Sequence, residues 1–207
     1  MIDNKKSNIN LRKMEFSDLN QVVKVHLQAF QNFFLSSLGA KFLYLLYEYI
    51  LIDPSGISLV AEADGDGIIG FVTGTTQPKG FYSRAIKKRA FLFAMASLPA
   101  LIKSPIIITR LLGAFKKPQE TYEIFADCEL MSIAILPSYA GKGIGKSLEL
   151  EFCKEAIKRN MKSVYLTTDQ ENNEIANSFY IKQGYIIKKI IVKYNTRFMN
   201  LYYKKLI

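Results

Sequence analysis

The sequence predicts one α/β domain built on a mixed sheet, and three observations point there. The chain has 207 residues, 49% of them hydrophobic and 22% charged, which is the ordinary range of a globular protein and the size of one large domain. Its apolar residues switch between strand and helix periods in the order βααββ, a basic insertion, then βαβαββ. Late in the chain an apolar strand runs into a glycine-rich loop and an amphipathic helix, a pairing that suits anion binding in α/β folds.

The elements follow in order. Ile9 to Met14 reads as an opening strand, after which Ser17 is placed to cap a helix from Asp18 to about Phe30, with Val22, Val23, Val25 and Leu27 on its apolar side. A second helix covers about Ala40 to Leu51 and stops before Asp53-Pro54, because the residue ahead of a proline avoids helical angles. Ile57 to Ala63 and Ile68 to Thr75 are strands joined by Asp64-Gly65-Asp66-Gly67, a hairpin turn in which glycine supplies positive φ. Beyond the insertion come a strand (Cys128 to Ile135), a helix (Gly143 to Arg159), a strand (Val164 to Thr168) and a helix (Asn173 to Lys182). Two closing strands, about Tyr185 to Lys193 and Arg197 to Lys204, meet at Tyr194-Asn195-Thr196. One domain over residues 1–207 accounts for all of this, with about 79–118 as its insertion.

The net charge of +10 is concentrated in that insertion. Nine of the 28 basic residues lie between Lys79 and Pro118 with no Asp or Glu among them, and the remaining 19 nearly balance the 18 acidic ones. Arg84, Lys87 and Lys88 share one helical face, while Tyr82, Ile86, Ala90 and Phe93 follow another. Pro99 and Pro105 are expected to divide the apolar remainder into two or three short helices. Two roles are open to it. Residues 81–117 suit a peripheral contact with anionic lipid on the inner membrane face, or a cap over a greasy substrate. The plainer role is a helical insertion packed on the domain with its lysines in water. Nucleic acid is not expected as a partner, because stacking platforms interleave aromatics with basic residues and this segment is mostly aliphatic.

Composition excludes several chemistries. His26 is the only histidine, and Cys128 and Cys153 are the only cysteines, without metal-ligand spacing, so no metal is expected. A Ser-His-Asp triad would have to use the same His26, which lies on an apolar helix and reads as a packing residue. The two cysteines read as buried small hydrophobes. The N-terminus lacks the apolar core of a signal peptide, and the longest uncharged apolar run, Ala90 to Ile102, is 13 residues. A spanning helix needs ~20. The expected location is cytoplasmic.

The stretch from Cys128 to Ser147, CELMSIAILPSYAGKGIGKS, carries the most chemistry. Gly141, Gly143 and Gly145 alternate with Lys142, Ile144 and Lys146 as a helix begins, so backbone N–H groups converge where the helix end is partly positive. That is a phosphate or pyrophosphate site. The nucleotide-triphosphate pattern G-x-x-x-x-G-K-(S/T) fails because Ala140 stands where a glycine is required. The dinucleotide pattern G-x-G-x-x-G fails because the third glycine falls one position early.

A third loop fits. Ala140-Gly141-Lys142-Gly143-Ile144-Gly145 resembles the acetyl-CoA loop of the GNAT N-acetyltransferase superfamily, (Q/R)-x-x-G-x-(G/A), departing from it only at Ala140. Downstream, Asn173, Ala176, Phe179, Tyr180, Gly184 and Tyr185 are similar to the same superfamily's N-x-x-A-x-x-(F/L)-Y-x-x-x-G-(F/Y) signature. Asn173, Ala176 and Tyr180 share one helical face. The resemblance implies a central mixed sheet of about seven strands flanked by helices, with the helical insertion between strands 3 and 4. It also implies an N-acetyltransferase moving the acetyl group of acetyl-CoA, its cosubstrate, directly to a primary amine.

In that reading, backbone groups at Ile133, Ala134 and Ile135 hold the pantetheine arm and polarise the thioester, Gly141 to Lys146 take the pyrophosphate, and Asn173 holds the arm. Tyr180 is the general acid that protonates the departing thiolate; its structural alternative is an aromatic filling space. Glu129 is the candidate base, with Asp127 two residues earlier on the same side of a regular strand; its alternative is a salt-bridged surface carboxylate. The acceptor is a small-molecule or peptide amine that the sequence does not identify. The insertion is free to shape the acceptor pocket or a subunit contact in a homodimer. The competing function is a catalytically degenerate acyl-CoA scaffold working through the basic insertion at a membrane surface or partner.

Overall fold

The computed structural model describes residues 8–31, 33–103, 126–193 and 197–206. Strand β1 (Ile9–Lys13) leads through a 3-10 turn at Phe16–Asp18 into α1 (Leu19–Ala29), α2 (Phe34–Ser37) and α3 (Ala40–Ile52). The hairpin β2 (Gly56–Ala63) and β3 (Gly67–Thr75) precedes α4 (Phe81–Lys103). Then follow β4 (Cys128–Ile135), α5 (Ile144–Lys158), β5 (Ser163–Asp169), α6 (Glu174–Lys182), β6 (Ile186–Lys193) and β7 (Arg197–Lys205).

All seven strands form one sheet in the order β1-β2-β3-β4-β5-β7-β6. Only β4 and β5 run parallel; every other neighbour pair is antiparallel. The mixed seven-strand sheet flanked by helices matches the expectation. What the sequence pattern did not reveal is the order at the end, where β7 lies between β5 and β6.

Each face of the sheet carries its own core. Leu19, Val22, Leu43, Tyr47 and Phe81 of the α1, α3 and α4 layer pack with Phe71 on one side. Ile144, Leu148, Phe152 and Ala156 of α5 pack with Val72, Cys128 and Tyr202 on the other. Phe71 and Val72 are neighbours in β3 that bury on opposite faces, as a strand's two-residue period requires. Fully burying a side chain such as Phe152 stabilises by ~1.5–3 kcal/mol, so both layers hold the sheet firmly.

Two local expectations are corrected. Ser17 does not cap α1. Asp18 stands at the cap position, and its side chain, without bonding the first turn of α1, closes the preceding 3-10 turn by accepting the Glu15 N–H at 2.8 Å while Arg12 donates two hydrogen bonds to it at 2.7 and 2.9 Å. That bidentate pair fixes a buried carboxylate at the helix entrance, which a serine hydroxyl could not match. Pro99 does not end the inserted helix either. It sits inside α4, whose break comes earlier, at Arg89 (φ −138°, ψ 29°), where the guanidinium turns to pair with Glu48 of α3. The bond lost at Pro99 is offset by Phe93, Ala96 and Ala100, which bury against the core on either side of it. Pro105 and the turn at 194–196 lie outside the described residues.

Candidate active site

The site begins where two strands part. β4 and β5 pair only at Cys128↔Val164 and Glu129↔Tyr165. Beyond these, the edge of β4 that faces β5 has no strand partner through Ile135, although its other edge stays paired to β3 as far as Gly70↔Ile135. The wedge therefore presents a row of backbone donors and acceptors, the condition under which an extended amide-bearing ligand adds to a strand.

The wedge opens onto the glycine loop. Pro137–Tyr139 forms a 3-10 turn, and α5 starts after Gly143. Gly141 (φ +77°) and Gly143 (φ +80°) are both left-handed, and a Cβ at either would meet nothing within 4 Å. Glycine is needed there for the backbone angle, and the space above it stays open for a ligand. The first bond of α5 runs from the Ser147 N–H to the Gly143 carbonyl at 3.1 Å. The N–H groups of Ile144, Gly145 and Lys146 therefore have no acceptor within the helix and converge as an anion cradle. Tyr139 braces the loop by donating its hydroxyl to Asp66 in the β2–β3 turn.

One cavity of about 1150 Å³ connects the wedge, the loop and the space beneath α1 to α4. Ile133, Ala134, Ile135, Gly141, Gly143, Ile144, Gly145, Lys146, Asn173, Tyr180 and Glu129 all line it, so the sequence-derived site residues converge on one space. Lys142 does not line it; its ammonium lies 4.3 Å from the centroid of the Tyr139 ring. Asn173 is engaged locally, its amide donating to Thr168 Oγ1 at 2.7 Å and the Asp169 carbonyl at 3.3 Å, which fixes the β5–α6 corner.

Tyr180 and Glu129 stand on different walls. Tyr180 is buried, with its ring centroid 5.2 to 5.7 Å from those of Phe179, Tyr185 and Tyr202. Burial, and then the charge of Glu149, push its hydroxyl well above the usual tyrosine value, so it keeps its proton. Glu149 is itself fully buried, paired to Lys204 at 2.9 Å and accepting the Cys153 thiol hydrogen at 3.0 Å. Glu129 is half-buried and stands beside Tyr165, its partner across the strands. Burial first and the Glu129 carboxylate second push the Tyr165 hydroxyl up.

Asp127 is not Glu129's companion. It precedes β4, and its carboxylate is spent on the Lys162 N–H at 2.9 Å and the Ser163 hydroxyl at 3.4 Å, tying down the start of β5. A bulge at Met131 then breaks the strand's alternation, since Ser132 pairs with Thr73 but Leu130 with Gly74. After it, Ala134 rather than Ile133 or Ile135 joins the core on the α1 side. The two thiols are buried and pushed up by that burial, which makes them inert as nucleophiles. Tyr165, Ser132 and the Asp169–Arg197 pair also reach the cavity and were missed in the sequence, where only strand pairing could have pointed to Tyr165.

Residues 113–185 match the family model described as Acetyltransferase (GNAT) family. Solved structures superpose along nearly the whole chain. The chain has the GNAT fold. The PaiA N-acetyltransferase of Thermoplasma acidophilum, solved with coenzyme A, is 18% identical with a TM-score of 0.58, over 96% of this chain and 99% of that one. An N-acetyltransferase of Staphylococcus aureus is 16% identical with a TM-score of 0.60, over 97% and 100%. YncA of Salmonella typhimurium, solved with acetyl-CoA, is 11% identical with a TM-score of 0.60, over 96% and 94%. The sequence matches no curated protein. Within the GNAT fold, the β4–β5 wedge and the α5 cradle of this chain fit an extended pantetheine arm ending in a pyrophosphate, because unpaired strand edges and free N–H groups lie in that order along one cavity. Among the described residues, no group of His, Cys, Asp and Glu is placed to hold a metal ion, and no helix is long and apolar enough to cross a membrane.

Proposed function

We propose that this protein transfers the acetyl group of acetyl-CoA to a primary amine. The observation that carries the reading is the convergence of the parted β4–β5 edges, the α5 cradle, Tyr180 and Glu129 on a single cavity. Acetyl-CoA supplies an activated acyl group on a thiol leaving group. The N–H groups at the start of α5 bind its phosphates, and the open edge of β4 from Ile133 to Ile135 orients the arm and donates to the thioester oxygen. Glu129, beside Tyr165 where β4 and β5 last pair, takes a proton from the incoming amine. Tyr180, protonated at neutral pH, gives a proton to the sulfur as it departs.

The test is thiol release from acetyl-CoA in the presence of amine acceptors, with Tyr180→Phe and Glu129→Gln variants. Tyr180→Phe is expected to lower kcat by ~10²–10⁴ without changing acetyl-CoA affinity, the usual worth of a positioned proton donor. Glu129→Gln is expected to lose rate at neutral pH and to regain part of it as the pH approaches the amine's own pKa. A Tyr180→Phe variant as fast as the parent protein removes Tyr180 from the mechanism. Failure to bind acetyl-CoA removes the activity altogether.

The outer face of α4 supports a second role beside this one. Phe91, Met95, Leu98 and Ile102 recur at i, i+4, i+7 and i+11, all exposed, with Lys87 and Lys88 exposed one turn earlier. Co-sedimentation with anionic vesicles tests it, and retention in the supernatant at low salt refutes it.

A further inference from the structure

The cavity is larger than the wedge and cradle require, and its far part differs in character. Phe30, Phe34, Leu38, Phe42 and Phe93 line it there, from α1, α2, α3, α4 and the segments joining them, together with His26. None of the described lining residues before β4 is charged at neutral pH. His26 is buried and burial lowers its pKa to about 4, so it is neutral as well. A second ammonium or a carboxylate placed in this chamber would be stripped of water without a counter-charge, and that is strongly unfavourable.

His26 gives the chamber a buried polar group that the fold leaves half-satisfied. The Tyr47 hydroxyl lies 2.6 Å from His26 Nδ1 and, with no other acceptor in reach among the described residues, donates to it. With Nδ1 accepting, the proton of the neutral imidazole lies on Nε2. Nε2 is buried, lies on a residue of the cavity wall and has no hydrogen-bond partner. A buried donor without an acceptor costs stability, so a site that keeps one is built to meet an acceptor atom from outside the chain.

We propose that the amine acceptor carries an uncharged, ring-bearing apolar body that fills this chamber, with an oxygen of that body accepting from His26 Nε2 and its amine turned toward Glu129. This rests on the acetyl-transfer reading and narrows its substrate class to arylalkylamine-like compounds, away from polyamines and free amino acids. The aromatic walls stack against a ring, and the unmet His26 donor favours a ring that bears oxygen.

Calorimetric titration of tyramine, phenethylamine and spermidine into the protein saturated with coenzyme A tests the inference, with acetyl-CoA titrated separately. Both arylalkylamines are expected to bind at least tenfold more tightly than spermidine, and tyramine more tightly than phenethylamine. His26→Phe is expected to abolish the tyramine preference. Phe34→Ala, at a half-buried wall position, is expected to weaken both aromatic amines at least fivefold at unchanged acetyl-CoA affinity, which separates a lost wall from a lost fold. Spermidine binding as tightly as the arylalkylamines, or no arylalkylamine binding, overturns the inference. Equal affinity for tyramine and phenethylamine removes the His26 contact. A protein that fails to bind acetyl-CoA overturns instead the acetyl-transfer reading beneath it.

Discussion

Gly143 holds φ +80° and ψ −2° at the entrance of α5, with nothing within 4 Å of where a Cβ would stand. Two substitutions there separate backbone strain from charge. Gly143→Ala places an L-residue in left-handed space and costs ~1–2 kcal/mol, with no steric clash to add. For a chain of this size that corresponds to a Tm lower by ~2–8 °C. Gly143→Asp adds the same strain and a carboxylate in the anion cradle. A unit charge ~5 Å from a phosphate charge is repelled by ~1–3 kcal/mol for an effective dielectric between surface and bulk values, or a Kd weaker by ~5- to 150-fold. The assays are thermal melting and acetyl-CoA calorimetry at low and high salt. The two variants should melt alike yet bind differently, and the deficit of Gly143→Asp should shrink as salt rises, since the loop is exposed. Equal acetyl-CoA affinity in both variants, or a salt-independent deficit, would show that phosphate does not sit on this helix end and would refute the cradle.

Two further predictions concern stability. His26 has a folded pKa of about 4 against an ordinary value of 6.5, so its contribution is fully present above pH 6.5 and is lost as pH falls toward 4. The loss amounts to ~3 kcal/mol, and denaturant titrations across that window should show a flatter curve for His26→Gln than for the parent protein. At Gly74 a Cβ would stand 2.2 Å from the Glu129 carbonyl oxygen and 2.5 Å from the Phe152 ring. Gly74→Ala should therefore destabilise by ~1–3 kcal/mol in chemical denaturation and slow acetyl transfer by shifting β4, and a neutral effect on both would contradict that packing.

The sequence by itself determined the local parts. The two-residue alternation of the strands, the glycine loop leading into α5 and the Asn173 to Tyr180 face of α6 are short-range patterns, because side-chain period and backbone angle are set by neighbours a few residues apart. They sufficed for the element order, the seven-strand mixed sheet and the residues that converge on the cavity. Tertiary structure decided the rest. That β4 and β5 part after Glu129↔Tyr165, that β7 enters between β5 and β6, and that a bulge at Met131 resets the alternation are matters of long-range register. Register depends on complementarity between segments far apart in the chain, which no local period encodes. The same holds for Asp127, drawn to the start of β5, and for Arg89, drawn to Glu48 so that α4 bends there and not at Pro99. The chamber beneath α1 to α4 exists only in the fold. His26 reads as a packing residue in the sequence, and only its placement with Phe30, Phe34 and Phe42 around an open space, with its donor left unmet, distinguishes a binding wall from a packed interior.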